Sequence, residues 1–204
     1  MKKIGLDFYL REDVVNISKE LIGKFLLTHI DGKLTSGMII ETEAYNGPID
    51  KASHAYKFRR TARNEVMYGE GGTAYVYLCY GIHHLFNIVT NTKEMPHAVL
   101  IRAILPKEGL DTILKRRNQK SVTKKTADGP GTLSQALGIK TTDSGIDLTG
   151  DVIWLEDRNV NFKKDEIKAG PRIGVDYAGK DALLPYRFRL TETTVNSIRD
   201  EWYS

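Results

Sequence analysis

ETEAYNGPIDKASH at residues 41–54 and TAYVYLCYGIHHLFNIV at residues 73–89 are the two stretches that decide the fold of this chain. The first begins with carboxylates and a tyrosine on an extended segment that ends at Gly47-Pro48, which predicts a strand followed by a turn. The second alternates on both sides of Gly81, which predicts a β-hairpin with its tip at that glycine. Strands joined by hairpins favour an antiparallel sheet.

The rest of the chain is predicted to form further short strands and helices. KFLLTHI and SGMIIETEAY flank a second hairpin turn at 31–33, and HAVLIRAILP (97–106) predicts a buried strand. Further strands are predicted at 151–157, 172–179 and 185–191, and helices at 11–23, 108–118 and 129–139. The connection 46–70 exceeds the usual ~12–15 residues and is typical of a functional loop. We therefore predict a single α+β domain, 1–204, with a largely antiparallel sheet.

Composition narrows the class of protein. The 204 residues are 41% hydrophobic and 27% charged, and the net charge of +4 suits a polyanionic partner without proving one. The one cysteine, Cys79, excludes an intramolecular disulfide, and no histidine spacing is typical of a metal site, so we predict neither metal nor cofactor. The N-terminal segment lacks the apolar core of a signal peptide, and no apolar run approaches the ~20 residues of a membrane span. These features predict a cytoplasmic protein with no membrane partner.

Two acidic residues and a tyrosine are expected on one face of the first strand. Alternation puts Glu41, Glu43 and Tyr45 on the same side, just before the Gly-Pro turn. A carboxylate beside a tyrosine can combine a general base with a stacking surface, although ordinary solvated glutamates would show the same pattern. Arg102, in the apolar run AVLIRAIL, needs a carboxylate partner if it is buried, and Glu43 or Glu41 is the candidate. The other interpretation is a guanidinium that reaches solvent from the strand end.

The aromatic hairpin offers flat surfaces. Alternation puts Tyr75 and Tyr77 on one face, either as core residues or as stacking partners, and we favour the core for Tyr75. Tyr80 precedes the tip glycine, where its ring suits a wedge into a DNA groove or packs on its own hairpin. Asn87 is unusual within a strand and indicates a turn, a buried hydrogen bond or contact with a base edge. An acid, stacking rings and a rigid turn are what an enzyme needs to hold an extruded nucleobase and hydrolyse its sugar bond.

Six segments in chain order carry a family resemblance. They are ETEAYNGPIDKASH (41–54), RN (63–64), GTAYVYLCYGIHHLFNI (72–88), VLIRAILPKEGL (99–110), GPGTLSQALGI (129–139) and PRIGVDYAG (171–179). Through them the chain resembles the alkyladenine (3-methyladenine) DNA glycosylases of the mammalian type.

The resemblance implies a compact α+β domain around a curved antiparallel sheet, with a β-hairpin that inserts into DNA. It also implies a monofunctional, monomeric enzyme of base excision repair, without a cofactor, associated with the nucleoid. Such enzymes flip alkylated or deaminated purines out of double-stranded DNA and hydrolyse the N-glycosidic bond with base-activated water.

The resemblance also implies roles for individual residues. Glu43 matches the general base that activates the water, and Arg102 matches the arginine that helps hold that water and the carboxylate. Tyr45 on one side, with His54 and Tyr77 on the other, matches the stack around the flipped base.

Two more residues of the hairpin match the family. Tyr80 matches the residue that fills the hole left in the duplex, and Asn87 matches the residue that clashes with the 2-amino group of normal guanine. The chain departs from the mammalian enzymes at Ile82 and His83, where those enzymes have a methionine and a tyrosine. This difference affects contacts around the lesion and the opposite strand.

The same residues leave three other functions open. A bifunctional glycosylase and lyase would use a lysine Schiff base at Lys124 or Lys125. A non-catalytic nucleic-acid module would stack damaged or single-stranded bases on Tyr45 and Tyr77. A carbohydrate hydrolase would use Glu41 and Glu43 as paired carboxylates.

Overall fold

An antiparallel β-sheet with helices packed against it makes up the computed structural model, which describes residues 2–203. The strands of this range are β1 (Lys2–Lys3), β2 (Phe25–Ile30), β3 (Lys33–Tyr45), β4 (Ala74–Cys79), β5 (His83–Thr90), β6 (His97–Glu108), β7 (Ile153–Asp157), β8 (Ile167–Gly170) and β9 (Arg187–Leu190). The α-helices are α1 (Leu6–Tyr9), α2 (Val14–Glu20), α3 (Leu110–Arg117), α4 (Pro130–Leu137) and α5 (Glu192–Tyr203). The nine strands run in the order β1-β7-β2-β3-β6-β5-β4, while β9 joins β3 and β8 joins β9. The predicted single-domain α+β fold is confirmed.

Strand β3 organises the sheet. It pairs with β6 along one edge, and along the other edge it pairs first with β2 and then with β9. The β2–β3 turn has positive φ at Asp31 (54°) and Gly32 (66°), a backbone that Asp-Gly favours in two-residue hairpins. Both hairpins expected from the sequence, β2–β3 and β4–β5, are confirmed.

A bulge interrupts the β3–β6 pairing where the functional side chains lie. Glu41 lies opposite Ala103, whereas the next residue, Thr42, lies opposite Ile101. Arg102 is therefore the extra residue on β6, and its carbonyl accepts from the backbone N–H of Gly129 (3.0 Å) instead of from β3. Bulges of this kind re-aim a side chain within an otherwise regular sheet.

The two faces of the sheet have different contents. One face carries the main hydrophobic core, which side chains of α2 and α4 complete. Alternation sends Ile101 and Ala103 of β6 into this core and turns Arg102 to the opposite face. The long connection 46–70, which contains only short 3₁₀ turns, covers part of that second face through a small cluster. The members of this cluster are Ala55, Met67, Tyr68, Tyr75, Val89 and Ala98.

Some predicted elements need correction. The strand predicted at 172–179 is wrong, since this segment is a loop that enters a 3₁₀ segment at Asp176–Leu183. Gly174 and Gly179 there have positive φ (74° and 61°), which breaks a strand, and the true strand is β8 just before it. The first helix is shorter than predicted and begins after Asp13, whose carboxylate accepts from the backbone N–H of Asn16 (2.9 Å). Helix α5 was not predicted.

Candidate functional site

The candidate site is built on one row of side chains that crosses four strands. Glu43 of β3 lies opposite Leu100 of β6, Leu100 lies opposite Asn87 of β5, and Asn87 lies opposite Tyr75 of β4. Residues directly opposite on one face are neighbours, so four separate sequence segments meet here because of strand register.

Glu43 is completely buried, and both of its carboxylate oxygens are engaged. Oε1 accepts from the backbone N–H of Ile173 (2.8 Å) and pairs with Nη1 of Arg102 (3.3 Å), while Oε2 accepts from the Tyr45 hydroxyl (2.9 Å). Burial raises the pKa of Glu43 above its usual value of 4.5, against the opposing effect of these three partners. The expected pairing of Arg102 with a carboxylate is confirmed, and the alternative of two solvated glutamates is wrong, since Glu41 is also buried.

A cavity of about 660 Å³ lies directly in front of this carboxylate. Tyr45, Arg102 and Ile173 line it, so all three partners of Glu43 belong to its wall and Glu43 lies behind them. This volume is within the ~300–1,000 Å³ typical of small-molecule sites. The remaining predicted residues also line it, namely His54, Tyr77, Tyr80 and Asn87.

Aromatic rings form one wall of the cavity. The rings of His54 and Tyr77 lie 4.8 Å apart between centroids at 70°, and those of Tyr75 and Tyr77 lie 5.4 Å apart at 35°. The Tyr75 hydroxyl bonds Nδ1 of His54 (2.9 Å), which fixes the imidazole. Tyr75 is fully buried, as expected for a core residue.

The aromatic wall carries no charge at neutral pH. Burial, together with Arg63 and Arg59, lowers the pKa of His54 to about 4, so its imidazole is neutral. Burial raises the pKa of Tyr77 above its usual value, so its hydroxyl keeps its proton. The rings themselves therefore add no charge to the cavity, while the Arg63 guanidinium lies 4.9 Å from the Tyr77 ring centroid.

The Asn87 amide is fixed by the backbone of its own hairpin. Its nitrogen donates to the carbonyl oxygens of Tyr75 (3.1 Å) and Leu85 (3.2 Å), and the side chain is buried. Of the functions open to a strand asparagine, the buried hydrogen bond is confirmed. The fixed side chain presents a rigid edge to the cavity.

Tyr80 projects from the hairpin tip, with 89% of the residue exposed. Both Tyr80 and Gly81 have positive φ (50° and 74°). Glycine adopts this conformation without penalty, but tyrosine does so at a cost of about 1–2 kcal/mol. The tight turn leaves the Tyr80 side chain exposed at the hairpin tip.

Arg172 and its partners were missed by sequence reasoning. Its guanidinium donates to both carboxylate oxygens of Asp50 and to the Ala44 carbonyl (2.9 Å), and it lies 4.9 Å from the Tyr45 ring centroid. This residue fixes the loop whose next residue, Ile173, donates to Glu43. A buried arginine cannot be recognised in PRIGVDYAG, because its partner lies 122 positions away.

The residues of two alternative functions lie elsewhere. Neither Lys124 nor Lys125 is among the described side chains that line the cavity, and both are exposed. Glu41 also does not line it and pairs with three arginines, unlike the free second acid of a carbohydrate hydrolase. Within residues 2–203, no group of three acidic, histidine or cysteine side chains could hold a metal ion, and no helix is long and apolar enough to cross a bilayer.

Comparison with known proteins identifies relatives over most of the chain. The sequence model of the family described as methylpurine-DNA glycosylase (MPG) matches residues 7–194. A protein of Chlamydia felis is 48% identical over 184 residues, which cover 90% of this chain and 93% of the relative. A protein of Bacillus thuringiensis is 44% identical, and the match covers 86% of this chain and 90% of that protein. A protein of Clostridium perfringens is 41% identical, and the match covers 93% of this chain and 96% of that protein. All three carry the name "Putative 3-methyladenine DNA glycosylase".

These relatives are bacterial, so they do not support the narrower resemblance to the mammalian type. The family itself is supported both by the sequence model and by identities well above 30% over most of each protein. The chain belongs to the methylpurine-DNA glycosylase family.

Proposed function

We propose that this protein is a monofunctional DNA glycosylase that hydrolyses the N-glycosidic bond of damaged purines flipped out of duplex DNA. The observation that carries the proposal is the buried Glu43 carboxylate, held directly behind the cavity wall by Tyr45, Arg102 and the N–H of Ile173. A carboxylate fixed in this way can accept a proton from water and stabilise the positive charge that develops on the sugar. Membership of the family supports the same reaction.

Two features of the cavity support damaged purines, including those that alkylation has made cationic, as the substrate. Tyr45 lines the cavity, as do the uncharged His54 and Tyr77, and such rings stack on any flat base. Alkylated purines such as 3-methyladenine leave readily, so stacking is sufficient and a full hydrogen-bond code is not required. The rigid side chain of Asn87 would clash with the 2-amino group of normal guanine. Deaminated purines are accepted by the same stack.

The partner in this proposal is double-stranded DNA that contains a damaged purine. Tyr80 enters the duplex from the hairpin tip and fills the space of the flipped nucleotide. The chain acts as one glycosylase domain, 1–204, as a monomer in base excision repair. Its cytoplasmic, nucleoid-associated location stays a prediction.

One observation favours a second candidate, a non-catalytic module that binds damaged or single-stranded bases. Glu43 is fully buried in the free protein and its Oε2 accepts from the Tyr45 hydroxyl, contacts that a purely structural carboxylate would also make. This candidate predicts binding without turnover.

Single-turnover excision in EDTA tests both candidates. Duplexes that carry hypoxanthine or ethenoadenine, and methylated DNA, are incubated with the wild-type protein, with Glu43→Gln, and with Glu65→Gln as a control at an exposed glutamate. We expect excision by the wild type and the control, and a loss of about 10²–10⁴-fold in Glu43→Gln with binding retained. Tight binding without excision of any lesion would favour the non-catalytic module.

A further inference from the structure

Glu41 occupies an unusual electrostatic position beside Glu43. It lies two residues earlier on the same face of β3 and is only 2% exposed. Its Oε1 accepts from Nε of Arg102 (3.3 Å) and from Nη1 of Arg187 (2.9 Å), and its Oε2 accepts from Nη1 of Arg189. One carboxylate thus engages three guanidinium groups.

Strand β9 brings two of these arginines to the site. In the β3–β9 register Arg189 lies opposite Glu41, whereas Arg187 lies opposite Glu43. Yet the Arg187 guanidinium donates to Glu41 and to the Pro171 carbonyl (2.8 Å), and no bond to Glu43 is formed. Glu41 therefore attracts an arginine that the register places beside Glu43.

The Arg102 guanidinium contacts both Glu41 and Glu43. Its Nε faces Glu41 and its Nη1 faces Glu43, each at 3.3 Å. An arginine and a carboxylate ordinarily prefer a two-bond fork, which would here occupy both oxygens of Glu43. Because Glu41 accepts from Nε of the same guanidinium, Arg102 forms no two-bond fork with Glu43, and their shortest contact joins Nη1 and Oε1 at 3.3 Å.

We propose that Glu41 is a positioning residue, which keeps Arg102 and Arg187 from saturating Glu43 and so preserves its strength as a base. The proposal rests on the proposed function and deepens it. Without Glu41, both guanidinium groups turn to Glu43, and its carboxylate becomes a weaker base that binds water less well.

Several titratable, charged or hydrogen-bonding groups face Glu43 and affect its titration. They are Glu41 and Tyr45 from β3, Tyr77 from β4, Arg102 from β6, Arg187 from β9, and Arg172, Ile173 (N–H) and Tyr177 from the loop before β9. Removing the negative charge of Glu41 and bringing arginines closer both favour the ionised form of Glu43. The acid limb of the rate profile should therefore move to lower pH.

The test compares Glu41→Gln with Asp128→Asn. Asp128 belongs to the same cluster, where its side chain pairs with Arg189 (3.1 Å) but forms no hydrogen bond or ion pair with Arg102 or Glu43. We expect Glu41→Gln to lose about tenfold or more in single-turnover rate, with DNA affinity retained and its acid limb at lower pH. Asp128→Asn should have the wild-type single-turnover rate and the wild-type pH of the acid limb. Equal losses in the two variants with an unmoved limb would show that Glu41 only balances charge, and would overturn the proposal.

Two further experiments, a double variant and an NMR titration, test the same proposal independently. Arg187→Met in the Glu41→Gln background should restore part of the rate, because one competing guanidinium is gone; no gain contradicts the proposal. Carboxyl ¹³C titration of Glu43 by NMR needs no substrate and should show a lower pKa in Glu41→Gln. If wild-type protein excises nothing, the proposed function fails, while the titration still decides whether Glu41 controls Glu43. An unchanged Glu43 pKa would overturn the inference.

Discussion

Replacement of Asp50 by asparagine is expected to destabilise the protein strongly. Asp50 and Arg172 form an ion pair whose side chains are 1% and 0% exposed. Asp50 also accepts the backbone N–H groups of Asn46 and Ala52, each at 3.0 Å. An asparagine has one acceptor oxygen, so its amide nitrogen would face donors and the arginine would stay buried without a charge partner.

The size of the effect follows from burial. Removing one member of a buried ion pair costs about 3–5 kcal/mol, and a domain of this length loses about 2–4 °C in melting temperature per kcal/mol. The melting temperature of Asp50→Asn should therefore fall by roughly 6–20 °C. Typical domains are stable by about 5–15 kcal/mol, so the variant should still fold at low temperature.

Calorimetry with a matched control tests this reasoning. Arg60 and Glu65 form a close pair (2.6 Å) whose side chains are 43% and 55% exposed. Glu65→Gln should leave the melting temperature unchanged within error, because solvent already screens that pair. A decrease in Asp50→Asn no larger than in Glu65→Gln would refute the argument that burial determines the contribution of this ion pair.

Three predictions concern the reaction. The single-turnover excision rate should rise with pH, with its acid limb above pH 4.5, because burial raises the pKa of Glu43 and the base must be ionised. Tyr45→Phe removes a hydrogen bond that favours the ionised form of Glu43, so the acid limb should move to higher pH. An acid limb at the wild-type pH or at lower pH would contradict this. Tyr80→Ala should leave the melting temperature unchanged and slow excision about fivefold or more, because stacking contributes about 1–3 kcal/mol per base. Leu183→Ala, at a residue 74% exposed, is the control, and a wild-type rate in Tyr80→Ala contradicts the wedge role.

Local sequence rules predicted the hairpins and the facing of their side chains. Asp31-Gly32 and Gly81 mark turns because their backbones adopt positive φ. Alternation predicted that Glu43 and Tyr45 share a face, and their side chains are hydrogen-bonded. These features depend on residues one to three positions apart, so the sequence by itself determined them.

The family resemblance already named Glu43 as the candidate base, but only the tertiary structure shows how the surroundings of the two glutamates differ. Glu41 and Glu43 are equivalent by alternation, yet one engages three arginines while the other meets Tyr45 and the N–H of Ile173. The contact with Ile173 joins residues 130 positions apart, and the arginines of β9 come from a similar distance. The physical reason is that the environment of a carboxylate is set by whatever the folded chain packs around it, and strand register fixes those neighbours only once the whole sheet has formed.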